Sequence, residues 1–238
     1  MMVRIAAMVC LLWVSAVGAH DSITADTVKD YLSRAESLQK TLASKPARAV
    51  AAQASLDLGR MLDDIGEIFN LDIDAHGKVQ GLASAFLMNE LTTRGLPLAF
   101  SARTRRYSPN LQWYRDALTS APAGPIAAEA GFRLVKGYFY ESFDDDPLRP
   151  LDPNASQLAE HIRLAATWRN QLEDAKAREE MLFILAILHM QAFDTGKAAD
   201  RATHLKKSHV LVEEFLKIYP LSMRAVTLSA LQERVEKR

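Results

Sequence analysis

Apolar residues recur along this chain at the three- and four-residue spacing of a helix face, and that periodicity constrains the fold more than any other feature. Val28, Tyr31, Leu32, Ala35, Leu38 and Leu42 mark one amphipathic face, and Leu58, Met61, Leu62, Ile65 and Phe69 mark another. Similar stripes cover Leu82 to Leu91, Leu111 to Leu118, Ile126 to Phe143, Leu158 to Leu172, Met181 to Phe193, Leu205 to Tyr219 and Ala225 to Val235. The pattern predicts an all-α protein of about nine helices with no convincing strand. Met181 to Leu188 is apolar at every position, which predicts a helix buried on all sides.

Ahead of the first stripe the chain carries Arg4, an apolar run from Ile5 to Val17, and Val17-Gly18-Ala19 before His20 and Asp21. A basic start, a short apolar stretch and small residues are the parts of a secretory signal peptide, so residues 1–19 are expected to be removed. The run is too short for a transmembrane span of about 20 apolar residues. The protein is therefore expected to be exported, periplasmic or secreted, with no stable membrane insertion after cleavage. Cys10 is the only cysteine, so residues 20–238 can form no disulfide and must be held by a hydrophobic core. With 29 basic and 29 acidic residues, the balance argues against a nucleic-acid binder, which usually shows a strongly basic face.

Asp144-Asp145-Asp146-Pro147, continuing through Pro150 and Asp152-Pro153, breaks any helix, because proline lacks a donor and restricts its predecessor. It suggests a subdivision into residues 20–143 and 156–238. Pro46, Pro122 and Pro220 mark a weak internal repeat. Apolar residues stand eight and four positions before each, at Leu38 and Leu42, Tyr114 and Leu118, Val212 and Leu216, and alanine follows each at Ala51, Ala127 and Ala225. A proline near the first turn starts a helix, and a small residue lets two helices approach closely.

On these joints the chain resembles tetratricopeptide-like helical-repeat proteins of the bacterial envelope. Tyr219-Pro220-Leu221-Ser222 followed by Ala225 is similar to their Tyr-Pro-x-Ser-x-x-Ala joints, and Tyr114, Ala117 and Pro122 fit their second-helix pattern. The resemblance implies a right-handed stack of antiparallel helix pairs, an α-solenoid, which binds a protein or peptide partner in a groove. An irregular helical bundle with proline-started helices is the alternative architecture.

Two segments could carry chemistry. Asp72-Ile73-Asp74-Ala75-His76-Gly77-Lys78-Val79 resembles the opening of an EF-hand loop, with oxygen ligands at its first and third positions and a glycine at the sharp turn. Asp72, Asp74 and His76 are thus the candidate metal ligands. Ala83 stands where the bidentate glutamate belongs, so calcium is expected to bind weakly or not at all. His161, His189, His204 and His209 show no metal-ligand spacing, and His189 is expected to be a hydrogen-bonded core residue. No nucleophile elbow, phosphate-binding glycine loop or dinucleotide fingerprint occurs. The adjacent carboxylates Glu179-Glu180 diverge by about 100° on a helix and are expected on a solvated face.

The other segment runs from Arg94-Gly95-Leu96-Pro97 to Tyr107 and is broken by Gly and Pro. Leu96, Leu98 and Phe100 alternate like a short extended piece. Arg103, Arg105 and Arg106 follow, flanked by Phe100 and Tyr107. Fork-shaped donors beside aromatic rings suit an acidic partner, and in a loop at least one arginine is expected to stand unpaired. These residues point to an envelope scaffold or adaptor without turnover. An exported enzyme or small-ligand or metal binder, with its site near the Asp72 to His76 turn, is the alternative. Intact-mass measurement of protein recovered from the exported compartment should give an N-terminus at His20; a chain retaining Met1 in a membrane fraction would refute the export reading.

Overall fold

A computed structural model of the chain describes residues 23–142, 147–148 and 154–237. The expected signal peptide and most of the acidic proline-rich stretch lie outside the described residues. Nine helices occur among those described: α1 (Ala25–Ala43), α2 (Arg48–Leu71), α3 (Leu82–Thr93), α4 (Gln112–Ser120), α5 (Pro125–Ser142), α6 (Ala155–Trp168), α7 (Ala175–Thr195), α8 (Ala198–Ile218) and α9 (Met223–Glu236). The all-α expectation holds, with one correction. β1 (Leu98–Ser101) and β2 (Arg106–Pro109) pair antiparallel, with Phe100 opposite Tyr107 and Ser101 opposite Arg106. Strands of four residues sit at the lower limit at which period-2 alternation can be told from loop.

The chain divides into two compact units, Met1–Lys40 with Leu58–Asn110, and Thr41–Asp57 with Leu111–Arg238. The division therefore does not follow the acidic stretch. α5 and α6, which flank that stretch, pack on one another within the second unit because both bury apolar faces in its core.

In the first unit, Leu58, Met61, Leu62, Ile65 and Phe69 of α2 are fully buried, as are Leu87 and Leu91 of α3. Spacings of three and four place each set on one helix face. Gln39 donates Nε2–H to the Arg94 carbonyl at 2.9 Å, tying α1 to the end of α3.

α7 organises the second unit. Every residue from Met181 to Ala192 is buried, and α5, α6, α8 and α9 all pack against it. Its start is fixed by Asp174, whose carboxylate accepts the Ala177 N–H at 2.7 Å. Asn154 caps α6 and Ser222 caps α9 in the same way. Where α5 meets α6, Gly131 is required by space: a Cβ there would lie 2.4 Å from Trp168 Cδ1.

Each of the prolines singled out in the sequence lies in a short joint between consecutive helices: Pro46 between α1 and α2, Pro122 between α4 and α5, and Pro220 between α8 and α9. The alanines after them are fully buried at Ala127, buried at Ala225 and half-buried at Ala51. Ala127 belongs to the core formed with Tyr114 and Ala117. Ala127→Leu should therefore lower stability by about 1–3 kcal/mol through overpacking. Chemical denaturation checks this, and an unchanged midpoint would remove the close contact from the account.

Candidate functional site

The hairpin and the turn that follows α2 form one fastened structure in the first unit. An isolated bridge joins Ile73 to Val79 and closes the turn. Inside it Asp74 Oδ1 accepts the His76 and Lys78 backbone N–H groups at 2.8 and 2.9 Å, and Oδ2 accepts from Gln80 Nε2 at 3.0 Å. The Lys78 and His76 amides hold its carboxyl below the ordinary aspartate range. Asp72, buried at 8 % exposure, accepts the Ser84 hydroxyl at 2.6 Å. His76 is exposed.

Asp74 thus accepts from the turn's own amides, and Asp72 from Ser84 of α3. Among the described residues, no group of three or more His, Cys, Asp or Glu side chains could hold a metal ion.

The hairpin is laid over this turn by Tyr107. Its hydroxyl donates to the Gly77 carbonyl at 2.9 Å, and its backbone N–H donates to Asn70 Oδ1 at 2.5 Å while Asn70 Nδ2 donates back to the Tyr107 carbonyl at 3.2 Å. Tyr107 also meets Phe69 edge-on at 5.7 Å and Phe100 at 5.2 Å between ring centroids. Burial raises the Tyr107 hydroxyl above its ordinary pKa, with a smaller contribution from the Asp74 charge.

The three arginines divide between the turn and the second strand. Arg103 and Arg105 lie in the tight turn between the strands, where Arg105 adopts φ 53°, and Arg106 opens β2. Arg105 Nη2 donates to the Ala75 carbonyl at 3.1 Å, and Arg106 pairs with Glu67 of α2. Arg103 is engaged as well. The expectation of an unpaired arginine is therefore overturned: the hairpin folds back onto α2 and the Asp72 turn, which brings acceptors to the guanidiniums. Phe100 and Tyr107 are half-buried against the turn.

A second constellation, which sequence reasoning missed, lies in the second unit across α5, α7 and α9. Tyr140 donates its hydroxyl to Glu180 Oε1 at 2.8 Å, and Lys136 Nζ lies 3.4 Å from Glu180 Oε2. Arg224 reaches both neighbouring carboxylates, at 3.6 Å from Glu179 and 3.5 Å from Glu180, while Ser222 donates to Glu179 at 2.6 Å. The Arg224 guanidinium also sits 5.5 Å from the Phe183 ring centroid. Burial and then the Glu180 charge raise the Tyr140 hydroxyl.

Glu179 and Glu180 were expected on a solvated face. Instead Glu180 keeps only 12 % side-chain exposure, because a single guanidinium on α9 joins both carboxylates despite their divergence on α7. The available signal was local: Lys136 and Tyr140 stand four apart and so share a face of α5.

The remaining histidines also find partners. His161 stacks on Tyr138 at 3.9 Å, His189 meets His204 at 2.9 Å, and His209 lies 3.4 Å from Glu236. The expectation of a buried, hydrogen-bonded His189 is met.

Comparison with protein-family models, with curated proteins and with solved structures finds no match to this chain.

Gly77 is the narrowest point of the first-unit site. It adopts φ 79°, and a Cβ there would stand 2.2 Å from Phe100 Cζ. Gly77→Ala combines a left-handed conformation with a ring clash and should cost about 1–3 kcal/mol. Urea unfolding followed by circular dichroism measures this; an unaltered midpoint would mean that Phe100 does not hold the turn.

Proposed function

We propose that the protein is an exported helical-repeat scaffold or adaptor that binds a protein or peptide partner along the α5, α7 and α9 face of its second unit. The observation that carries this reading is the order of packing. Consecutive helices α4 to α9 pack in sequence, and α7 also packs on the alternate helices α5 and α9. That alternation is the pattern a stack of helix pairs requires, in which like-placed helices form one continuous surface. The proline joints before α5 and α9 recur at equivalent places in the pairs.

The chemistry of that surface suits an extended peptide. Tyr140 and Lys136 keep about two-fifths of their surface exposed, at 41 % for the residue and 40 % for the side chain respectively. Arg224 stands beyond them on α9, with Glu179 and Glu180 between. An aromatic ring among cations and carboxylates offers a partner backbone both donors and acceptors, and aromatic and arginine side chains are the usual anchors of such interfaces. The polar groups of both constellations are paired among themselves, and the α5, α7 and α9 set is preferred because it lies along the packed alternate helices.

The test compares two variants in partner capture from envelope extract with quantitative mass spectrometry. Tyr140→Ala with Lys136→Glu removes two groups that contact Glu180, so recovery is compared once circular dichroism shows a retained helical spectrum. This double variant should lower partner recovery about tenfold or more, a change of about 1.4 kcal/mol in binding. Arg103→Glu with Arg105→Glu and Arg106→Glu should preserve recovery while the helical spectrum is retained. Loss with the hairpin variant alone would move the interface to the first unit, and equal recovery with both would overturn the proposal.

A further inference from the structure

His189 of α7 and His204 of α8 meet ring to ring inside the second unit. Their Nδ1 atoms lie 2.9 Å apart, the ring centroids are 5.1 Å apart, and the ring planes are tilted by 40°. His189 is 4 % exposed, and His204 is half-buried at the edge of the contact. A neutral imidazole carries one N–H and one lone pair. Two such rings can therefore close a single N–H···N bond, one as the Nδ1–H tautomer and the other as the Nε2–H tautomer.

The geometry favours a shared proton over a shared metal ion. The centroids stand apart by the nitrogen separation plus the depth of both rings, so the nitrogens face each other along the line of centres. A metal ligated by both in tetrahedral geometry, at about 2.0–2.1 Å from each nitrogen, would hold the two nitrogens roughly 3.3 Å apart, farther than the 2.9 Å seen here.

We propose that the His189–His204 pair is a proton-sensitive latch between α7 and α8, closed while one Nδ1 lone pair remains and opened when both Nδ1 atoms carry protons. The first added proton goes to the more exposed ring, His204, at Nε2. His204 Nδ1–H then donates to His189, and the bond survives with a charged donor. The second proton can enter only at His189 Nδ1, the lone pair that accepts. The bond is then lost, and two like charges face each other across a buried contact.

The surroundings place this second step in acid. Burial, then the His204 charge, then Lys207 hold His189 at about 4, below the ordinary 6.5 of histidine. Burial and Lys207 lower His204 as well, while Asp200 opposes them. Among the described residues, the charges that act on the pair, Lys207 and Asp200, are both on α8. Because the folded values lie below the unfolded one, the unfolded chain binds more protons between them. The stability the latch contributes is full above pH 6.5 and is lost as pH falls toward 4. At the α7–α8 corner Arg201 donates to the Phe193 and Asp194 carbonyls at 2.7 and 3.3 Å. An arginine keeps its proton throughout this range, so the corner holds while the pair opens.

Nuclear magnetic resonance of the full chain with ¹⁵N-labelled histidine, titrated from neutral pH to about pH 3.5, tests the latch. His189 should stay neutral until well below the ordinary histidine value of 6.5, and amides of α8 should lose protection from hydrogen exchange about tenfold or more over the same interval. The double variant His189→Phe, His204→Leu should abolish that pH response of α8. His189 titrating near the ordinary 6.5 would overturn the proposal, as would parallel loss of α8 protection in wild type and variant. Should the variant fail to fold, the wild-type titration decides alone.

Discussion

A helix with no solvent face must be enclosed by other helices, and α7 imposes that requirement on the second unit. From Met181 to Ala192 every side chain is buried, so α5, α6, α8 and α9 are held in place by the need to cover it. The hydrophobic term alone would accept several arrangements of covering helices, since apolar burial is non-directional. Direction comes from the polar groups α7 carries into the core. Gln191 donates Nε2–H to the Pro147 carbonyl at 2.8 Å, next to the fully buried Leu148. His189 finds His204. An unmet partner would cost the desolvation of a buried polar group, about 1–3 kcal/mol, so each contact helps select one packing over its neighbours.

The first unit solves a different problem, because its turn and hairpin are too short to be held by apolar burial alone. Tyr107 supplies the missing specificity, with an edge-on ring toward Phe69, a hydroxyl on the Gly77 carbonyl and a reciprocal backbone pair with Asn70. Only a residue without a Cβ lets the Phe100 ring lie over the turn. The arginines then close the arrangement from outside, through Ala75 and Glu67. Groups that look ready for a ligand in the sequence are here the fastening of a small non-helical segment.

The helices were legible because each keeps one period for several turns, and the fully buried stretch of α7 could be read from Met181 to Leu188 for the same reason. The prolines at the joints were legible through backbone chemistry. The hairpin was not, because four-residue strands leave too little alternation to recognise, although Leu96, Leu98 and Phe100 already hinted at extended chain. Asp72 and Asp74 were identified as ligand candidates from spacing, but spacing does not say whether nearby amides and hydroxyls will reach those oxygens first. The Glu179, Glu180 and Arg224 cluster and the His189–His204 pair were hidden for a simpler reason. Each joins residues from different helices, and a helix stripe predicts which face is buried without predicting what it will meet.

α7 also joins the two polar constellations of the second unit, and distance decides how they can influence one another. Glu180 precedes His189 by nine residues, which on a helix is roughly 13 to 14 Å of axial rise. Over that separation the direct interaction of a proton at the histidine pair with the carboxylates that hold Tyr140, Lys136 and Arg224 is on the order of 1 kcal/mol. What α7 transmits is position. α8 packs on α7 and α9 packs on both, so a loosened α8 removes support from the helix that carries Arg224 to Glu179 and Glu180. Coupling between the acid-sensitive contact and the proposed binding face would run through the placement of α9, which contacts both α7 and α8.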